Sequence, residues 1–394
     1  MNQDGYALLV VDDNEDNRYT LTNRLKRQGY TNLTTAVDGR QALELIRSRP
    51  FDLVLLDIMM PELNGYQVLE QLKADEQLRH IPVIMISALD ELESVIRCIE
   101  LGAEDYLPKP FNPTLLKARI GASLERKRLQ DQVRAHLVRI EEELRTAREI
   151  QMGMLPTLFP APRSDWRVQL FAVMEAARQV GGDLYDFFDG QDGRLCFVVA
   201  DVSDKGAPAA LFMARAKSLI RLAAALLRPA NGAPPQPHEI AGLVNEELCR
   251  DNGRCMFVTM FLGMLDPISG ELRFCNAGHP APYLLSRYRG VTALPGGRGR
   301  PLGIQPAAAY ECGTVNLAPG ECLFLYTDGI TEAMDTGGAL FSEERLEAAL
   351  RAATVEDAVE VVAAVMGRVR SFAGSAPQSD DIAAMAVRFV PWRP

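Results

Sequence analysis

The sequence has few groups suited to soft-metal or disulfide chemistry. Its 394 residues include four histidines and seven cysteines, and no two cysteines form a CxxC pair. This pattern disfavours a disulfide framework and a structural zinc site. No apolar run reaches the roughly 18 to 20 residues of a membrane span, and the N-terminus lacks the basic and apolar regions of a signal peptide. These absences predict a cytoplasmic protein with no membrane partner.

The sequence also lacks an excess of positive charge. Lys and Arg total 42 against 52 for Asp and Glu, which gives a net charge of −10. Proteins that bind nucleic acid generally carry a basic patch that neutralises phosphates, and neither such a patch nor a helix-turn-helix pattern is evident. The sequence therefore predicts no nucleic-acid partner. At roughly 150 residues per domain, its length predicts two or three domains.

Residues 1–120 alternate short apolar runs with amphipathic segments of helical period. The runs are Tyr6–Val11, Leu33–Ala36, Leu53–Leu56, Val83–Ile86 and Asp105–Leu107. This alternation predicts an α/β doubly wound domain with a parallel five-stranded sheet. In such sheets, reactive groups collect at the carboxyl ends of the strands.

Five polar residues follow the predicted strands: Asp12, Asp13, Asp57, Ser87 and Lys109. Each alone would be an ordinary loop or capping residue, but together they predict a site. Clustered carboxylates repel one another unless a cation such as Mg²⁺ lies among them. Such an ion would offset the charge of an incoming phosphoryl group and leave one Asp57 oxygen as the nucleophile. Lys109 would then pair with the acyl phosphate, and Ser87 would donate to a phosphoryl oxygen.

These residues, within LVLLDIMMPELNGYQVL and the Lys109-Pro110 pair, resemble the receiver domain of bacterial two-component response regulators over about 120 residues. The resemblance implies Asp57 as phosphoacceptor, with Asp13 and the Met59 carbonyl as further Mg²⁺ ligands and Asp12 as a ligand through water. It also implies that Ser87 and Tyr106 form the switch pair that reports phosphorylation. A histidine kinase or phosphotransfer protein is the implied phosphodonor.

Residues 112–155 show one long helical pattern. Apolar residues recur at alternating steps of four and three with one polar interruption; the positions are Val133, Leu137, Ile140, Leu144, Ala147, Gln151 and Met154. This heptad pattern predicts a coiled-coil linker that forms a homodimer. The alternative is that the stripe packs on its own domain, because two and a half heptads is short. Pro156, Pro160 and Pro162 end the helix and mark a boundary.

Residues 165–394 predict an α+β domain, since strands occur in runs with grouped helices. The clearest predicted strands are 197–200, 257–265, 272–277, 322–327 and 382–389, and the helices are 207–227, 237–250, 343–353 and 355–372. Aspartates lie at strand ends or turns at Asp183, Asp201 and Asp328, and Asp380-Asp381 come before the last strand. Each could be a turn residue. Four such sites with almost no nearby histidine or cysteine predict two hard divalent ions, Mn²⁺ or Mg²⁺, which support phosphoester hydrolysis.

This region resembles the PPM-type serine/threonine phosphatases of the bacterial SpoIIE/RsbU group over about 240 residues. The resemblance is carried, in order, by GGDLYDF, DVSDKGAPAALFMA, MFVTMFLG, NAGHPAPYLL, RPLG, LYTDGITEA and SDDI. It implies an antiparallel β-sandwich flanked by helices. It also implies metal-site residues, with Asp201 essential for catalysis, at Asp183, Asp201, the Val202 carbonyl, Asp328 and Asp380.

Three points in this region stay open. Asp380 is preferred over its neighbour Asp381 as the ligand. His279 in NAGHP is either an acid or, as preferred, a structural residue that fixes a turn beside Asn276 and Gly278. Lys205 would either bind substrate phosphate or offset the negative charge of the carboxylates.

Together these features predict a response regulator with a receiver at 1–124, a coiled-coil linker at 125–157 and a PPM-type phosphatase domain at 158–394. Phosphorylation of Asp57 would control dephosphorylation of phosphoserine or phosphothreonine. The resemblance implies a STAS-type anti-sigma-factor antagonist as substrate in a partner-switching pathway. The alternative is a catalytically silent adaptor, but such a protein should have lost its metal aspartates. A diguanylate cyclase is disfavoured, because Leu184-Tyr185 replace the acidic residues that should follow GGD.

Overall fold

The computed structural model describes residues 5–87, 92–157, 167–190, 192–227 and 233–390. Pro160 and Pro162, which the sequence predicts at a boundary, lie outside the described residues. The chain separates into two compact units, Met1–Ile140 and Glu141–Pro394. This division falls inside the segment 125–157, and the domain limits at 124 and 157 stay predictions.

The first unit contains a five-stranded parallel sheet. Its strands are β1 (Leu8–Val11), β2 (Leu33–Ala36), β3 (Leu53–Asp57), β4 (Val83–Ser87) and β5 (Asp105–Pro108). Their order in the sheet is β2-β1-β3-β4-β5. Every residue of β1, β3 and β4 is buried, as expected of parallel strands covered by helices on both faces. The sheet confirms the predicted doubly wound architecture.

The helices α1 (Glu15–Arg27), α2 (Gly39–Ser48), α3 (Gly65–Ala74) and α4 (Leu92–Glu100) connect these strands. The first three begin after Asn14, Asp38 and Asn64, whose side chains each accept a backbone N–H of the first turn. Because side chains alternate along a strand, the apolar residues of β1 fill one core on each face of the sheet. This packing fixes the carboxyl ends of the strands along one edge.

A single helix, α5 (Pro113–Met154), begins in the first unit and ends in the second. Asn112 starts it, because its Oδ1 accepts the backbone N–H groups of Thr114 and Leu115. Further along, the predicted seam residues Val133, Leu137 and Ile140 are all more than half exposed. The continuous helix is the part of the predicted coiled-coil linker that the structure shows.

The last turn of α5 differs from the heptad prediction. Gln151, which the pattern places in the seam, is only 5 % exposed and bonds to Gly181 within the second unit. Leu155 is buried in the core of the same unit, and Met152 packs against that core. Gln151 therefore packs on its own domain, which is the alternative that the heptad pattern left open, whereas Met154, the last residue of the stripe, is 41 % exposed.

The second unit contains two sheets. Their strands are β6 (Val168–Glu175), β7 (Leu184–Asp189), β8 (Leu195–Val202), β9 (Val258–Leu265), β10 (Glu271–Ala277), β11 (Tyr283–Ser286), β12 (Gly290–Ala293), β13 (Arg298–Gly299), β14 (Gly313–Asn316), β15 (Cys322–Tyr326) and β16 (Ile382–Phe389). One sheet has the order β13-β10-β9-β8-β7, with β14 also paired to β10, and the other has the order β12-β11-β15-β16-β6. The pairing is antiparallel except between β10 and β13.

The inner faces of the two sheets share one apolar core. Its centre holds Phe197, Phe261 and Phe274, whose rings stack in succession. Helices α6 (Ala207–Leu226) and α7 (Pro237–Cys249) cover one outer face, and α8 (Ser342–Ala352) and α9 (Ala358–Ala373) cover the other. The predicted α+β sandwich is confirmed. No helix within the described ranges combines the length and apolar character needed to cross a membrane.

Candidate functional site

Three carboxylates and an ammonium group meet at the carboxyl edge of the first sheet. One oxygen from each of Asp12, Asp13 and Asp57 lies within 4.8 Å of the others, and we call these residues the receiver cluster. The Lys109 Nζ lies 2.7 Å from Asp12 Oδ2 and 2.9 Å from Asp57 Oδ1. The structure thus brings together the carboxylates and the lysine that the sequence places at separate strand ends. A hard cation such as Mg²⁺ suits this set of oxygens.

Asp57, the predicted phosphoacceptor, lies in a poorly solvated position. Its side chain is buried at the end of β3. Burial raises the pKa of Asp57 to about 6, the hydrogen bond from Lys109 opposes this shift, and the charges of Asp12 and Asp13 add to it. Burial lowers the pKa of Lys109, but its hydrogen bonds to Asp12 and Asp57 outweigh that effect and raise it. The lysine therefore stays protonated beside the acceptor.

Asp57→Asn is expected to stabilise the first unit when divalent ions are removed. The folded-state pKa lies above the unfolded value of 3.8, so the contribution of this carboxyl to stability is lost as the pH rises through about 6. At pH 7.5 in EDTA, urea unfolding should show a gain on the order of 2 kcal/mol. The variant should gain less from added Mg²⁺ than the wild type does. A loss of stability in EDTA would show that the ionised Asp57 carboxylate does not destabilise the folded first unit.

The other receiver residues lie on the same edge. Ser87 is fully buried at the end of β4, and its carbonyl accepts the Lys109 N–H at 2.7 Å. Tyr106 is buried within β5. Met59, two residues beyond Asp57, has a side chain that is largely exposed. The roles of Ser87 and Tyr106 as a switch pair, and of the Met59 carbonyl as a ligand, stay predictions.

A second set of carboxylates comes from both sheets of the second unit. We call Asp183, Asp201, Asp328 and Asp380 the C-terminal cluster. Asp183 precedes β7, Asp201 lies near the end of β8, Asp328 follows β15 and Asp380 precedes β16. Thr327 joins the two sheets here, because its Oγ1 donates to Asp183 Oδ2 at 2.7 Å and accepts the Ala383 N–H at 2.8 Å.

These carboxylates repel one another in a poorly solvated position. Burial and the charge of Asp201 hold the pKa of Asp183 well above its ordinary value. Burial is also the largest cause that raises the pKa of Asp201 to about 7, followed by the charge of Asp328. The pKa of Asp328 is raised by burial and by Asp380. Asp183 and Asp201 each affect the pKa of the other, so the two carboxylates are close neighbours.

The C-terminal cluster fits hard divalent ions by its chemistry. Its potential ligands are carboxylate oxygens. The Val202 carbonyl, which follows Asp201 at the end of β8, adds another oxygen. Among the described residues, three potential ligand atoms lie within 4.8 Å of one another in the receiver cluster but not in the C-terminal cluster. The C-terminal carboxylates are therefore more widely spread.

Asp380 and Asp381 differ in their surroundings. Asp381 is buried, and its two oxygens accept the backbone N–H groups of Ala177 and Gly182 at 2.8 Å each. Asp380 is partly exposed and pairs with Lys205 at 2.7 Å. Both oxygens of Asp380 also have partners, since Oδ1 accepts the Asp381 N–H at 2.9 Å and Oδ2 pairs with Lys205, so the choice of Asp380 as ligand stays a prediction.

Lys205 lies at the solvent side of the C-terminal cluster. Its Nζ also donates to the Ser379 carbonyl at 3.0 Å, and its side chain is 42 % exposed. The contact with Asp380 matches the charge-offsetting role that the sequence left open. The partial exposure leaves the ammonium group able to exchange that partner for an anion.

His279 is fixed in a turn by Asn276. Asn276 accepts its backbone N–H and donates to its carbonyl, while Nδ1 lies 2.9 Å from Thr259 Oγ1. Burial lowers the pKa of His279 to about 3. The imidazole is therefore neutral at physiological pH, which favours the structural role over that of an acid.

His279→Gln should reduce the loss of stability that the second unit undergoes as the pH falls. The folded-state pKa of about 3 lies below the unfolded value of 6.5, so the unfolded chain takes up a proton first as the pH falls. Between pH 7 and pH 5 the wild type should lose about 2 kcal/mol relative to the variant. Urea unfolding of both proteins at several pH values measures this difference. Parallel curves would show that the pKa of His279 is not lowered in the folded state.

The sequence analysis missed a buried ionic cluster beside the site. Asp186 in β7 is 1 % exposed and accepts from Lys217 Nζ at 2.7 Å and from Arg221 at 2.6 and 2.7 Å. The two cations lie on α6, more than thirty residues away in sequence. The signal available was Asp186 within GGDLYDF, but nothing local in the sequence identifies its partners.

Comparisons with known proteins agree with this division of the chain. The family Stage II sporulation protein E (SpoIIE) matches residues 191–390, and the family Response regulator receiver domain matches residues 8–121. The solved SiaA-PP2C domain of Pseudomonas aeruginosa is 25 % identical and has a TM-score of 0.54. That alignment covers 65 % of this chain and 99 % of the domain.

Two curated relatives each match one part of the chain. Protein IcfG of Synechocystis sp. is 31 % identical over 265 residues, which cover 62 % of this chain and 41 % of that protein. The alkaline phosphatase synthesis transcriptional regulatory protein PhoP of Bacillus subtilis is 41 % identical over 119 residues, which cover 30 % of this chain and 48 % of that protein. The chain thus spans less than half the length of either relative.

Proposed function

Because the chain belongs to the SpoIIE family and carries a response-regulator receiver domain, we propose that it is a metal-dependent protein phosphatase controlled by phosphorylation of Asp57. The observation that carries this proposal is the C-terminal cluster. Four carboxylates from two sheets meet where burial and mutual repulsion raise the pKa of Asp183, Asp201 and Asp328. Divalent cations relieve that repulsion, and they supply the chemistry for hydrolysis of a phosphoester.

Each residue of the site has a distinct role in this proposal. Asp183, Asp201, Asp328, Asp380 and the Val202 carbonyl would hold two Mn²⁺ or Mg²⁺ ions, which when bound supply a nucleophile and charge stabilisation at phosphorus. Thr327 orients Asp183 by donating to its Oδ2. Lys205 is placed to exchange Asp380 for a substrate phosphoryl oxygen, which would bring the phosphate towards the carboxylates.

The receiver cluster supports control by phosphorylation. Asp57 would accept a phosphoryl group from a histidine kinase or phosphotransfer protein, with Mg²⁺ held by Asp13, Asp57 and the Met59 carbonyl and by Asp12 through water. Lys109 already lies between Asp12 and Asp57, where it would pair with the acyl phosphate. The substrate that we propose is a STAS-type anti-sigma-factor antagonist phosphorylated on serine or threonine, in a partner-switching pathway.

Phosphate release from a phosphorylated STAS protein tests the proposal. The full chain with Mn²⁺ should release inorganic phosphate, EDTA should stop the release, and excess Mn²⁺ should restore it. An Asp201→Asn variant immobilised on resin should retain the phosphorylated STAS protein and not its unphosphorylated form. Binding without release, both with and without beryllofluoride at Asp57, would instead identify the chain as an adaptor that lacks hydrolytic activity.

We also propose that α5 dimerises through its exposed stripe. Leu129, Val133, Leu137 and Ile140 are each at least half exposed, and the last three lie at heptad positions. Sedimentation of the full chain should give a dimer, and the Leu137→Lys/Ile140→Lys variant should give a monomer. Arg139→Leu is a matched control, because Arg139 lies outside the stripe. A monomeric wild type at micromolar concentration would contradict the dimer.

A further inference from the structure

A small cavity lies in the second unit between the end of α9 and the segment that follows β15. Its volume is about 170 Å³, and we call it the α9 pocket. The apolar part of its lining consists of Ala333, Met334, Met366, Val369, Ala373 and Ile382. An apolar cavity of about 150 Å³ can bind benzene. The α9 pocket therefore has room for one side chain of the size of leucine or methionine.

The α9 pocket adjoins the proposed metal site. Gly329, which lines it, directly follows Asp328, and Ser379, on the opposite wall, directly precedes Asp380. The two walls are close together, because a Cβ atom at Gly329 would collide with the Asp381 carbonyl oxygen. Adjacent Cα atoms are about 3.8 Å apart, so each wall begins one residue from a proposed ligand. A phosphorylated residue bound at the C-terminal cluster would therefore bring its neighbours in sequence close to this pocket.

The polar side chains that line the pocket already have partners. Arg370 forms an ion pair with Glu175. Gln378 donates to the carbonyls of Glu175 at 2.8 Å and of Asp380 at 2.7 Å, and the Ser379 hydroxyl donates to a backbone carbonyl at 3.2 Å. A polar group that entered the pocket would lose its hydrogen bonds to water and would have to displace these contacts to replace them. An apolar occupant avoids that cost.

We propose that the α9 pocket is a specificity subsite that binds an aliphatic side chain, leucine or methionine, within three residues of the phosphorylated serine or threonine of the substrate. This inference rests on the proposed function and extends it from the phosphoryl group to the surrounding sequence. An extended chain spans about 3.3 Å per residue, so residues on either side of the phosphorylated one reach the pocket. Binding would remove apolar surface of the substrate and of Met334, which is 42 % exposed, from water. The flexible side chains of Met334 and Met366 suit an occupant of variable shape.

Binding of non-hydrolysable peptides to the full chain tests the subsite without relying on turnover. Each peptide carries a phosphonate analogue of phosphoserine in an alanine background, with one leucine placed in turn at each of the three positions on either side. Calorimetric titration at saturating Mn²⁺ should give one leucine position that lowers Kd at least about tenfold relative to the all-alanine peptide, which is within the range for added methylenes in an apolar pocket. Leucine at the positions that do not reach the pocket should have little effect.

The ratio of the two Kd values on one protein is the readout, because it cancels a general effect of a substitution on folding or metal binding. Ala373→Leu fills the pocket from a partly exposed position in the last turn of α9 and should abolish most of the leucine preference. Met334→Ser removes apolar lining without filling the cavity and should also reduce the ratio. Ala363→Leu makes the same change as Ala373→Leu at an exposed position of α9 outside the pocket, and it should keep the wild-type ratio.

An equal effect of leucine at every position, or a wild-type ratio in Ala373→Leu, would overturn the inference. Failure of every peptide to bind would also overturn it. If the leucine preference is found but hydrolysable versions of the peptides release no phosphate, the proposed hydrolysis fails while the subsite stands. Release of phosphate without any leucine preference would support the hydrolysis and overturn the subsite.

Discussion

Asp201→Asn is expected to lower kcat/KM for a phosphoserine substrate by at least about 10³-fold, which corresponds to about 4 kcal/mol of transition-state stabilisation. The neutral amide removes the charge of a carboxylate that we propose as a ligand, whose pKa is already affected by its neighbours Asp328 and Asp183. Phosphate release at saturating Mn²⁺ measures the loss. Because substitutions that only support a ligand already cost 10- to 100-fold in comparable sites, loss of a ligand should exceed that range.

The stability of the same variant should change in the opposite direction. Burial and neighbouring charges raise the pKa of Asp201 to about 7, so ionisation of this group opposes folding as the pH rises through that value. In EDTA at pH 8, Asp201→Asn should therefore be more stable to urea than the wild type. Asp251→Asn, an exposed turn position in the same unit, should change neither activity nor stability. Wild-type turnover by Asp201→Asn would show that Asp201 is not a ligand.

Asp186→Ala is expected to destabilise the second unit by about 3 to 5 kcal/mol, because it leaves a buried ammonium group without its partner. The Lys217 side chain is only 10 % exposed, and Asp186 is the carboxylate that its Nζ contacts at 2.7 Å. For a domain of this size the melting temperature should fall by about 10 °C. Thermal and urea unfolding of the full chain both measure the effect.

Two further variants separate charge burial from simple loss of contacts. Asp186→Leu/Lys217→Met removes both buried charges and should recover much of the lost stability. Arg221→Ala should cost far less than Asp186→Ala, because the Arg221 side chain is 46 % exposed and Asp186 keeps Lys217. If the double variant were as unstable as Asp186→Ala, the cost would arise from packing rather than from an unpaired charge.

The sequence predicts most of the fold because its strongest signals are local. The apolar runs of β1, β3 and β4 and the helical periods of α5 and α6 each identify an element without reference to a partner. β7 was not predicted, since Asp186 and Asp189 interrupt its apolar pattern. The charge of Asp186 becomes acceptable only when α6 supplies Lys217 and Arg221, and no local pattern contains that pairing.

The candidate site divides in the same way. Asp183, Asp201, Asp328 and Asp380 follow strands or precede them, so their position in the sequence suffices to propose them as ligands. The choice between Asp380 and Asp381 stays a prediction, although the structure shows that Asp381 accepts backbone N–H groups of Ala177 and Gly182, which no local pattern contains. Gln151 was placed in a dimer seam by its heptad position, whereas its amide pairs with a peptide thirty residues away.

Anomalous diffraction from crystals grown with Mn²⁺ tests the central claim most directly, because manganese is located without reference to the protein atoms. Two peaks about 3.5 to 4 Å apart are expected among Asp183, Asp201, Asp328 and Asp380. Asp381 should still accept the backbone N–H groups of Ala177 and Gly182. A crystal whose receiver cluster holds Mn²⁺ while the C-terminal cluster shows no peak would contradict the account.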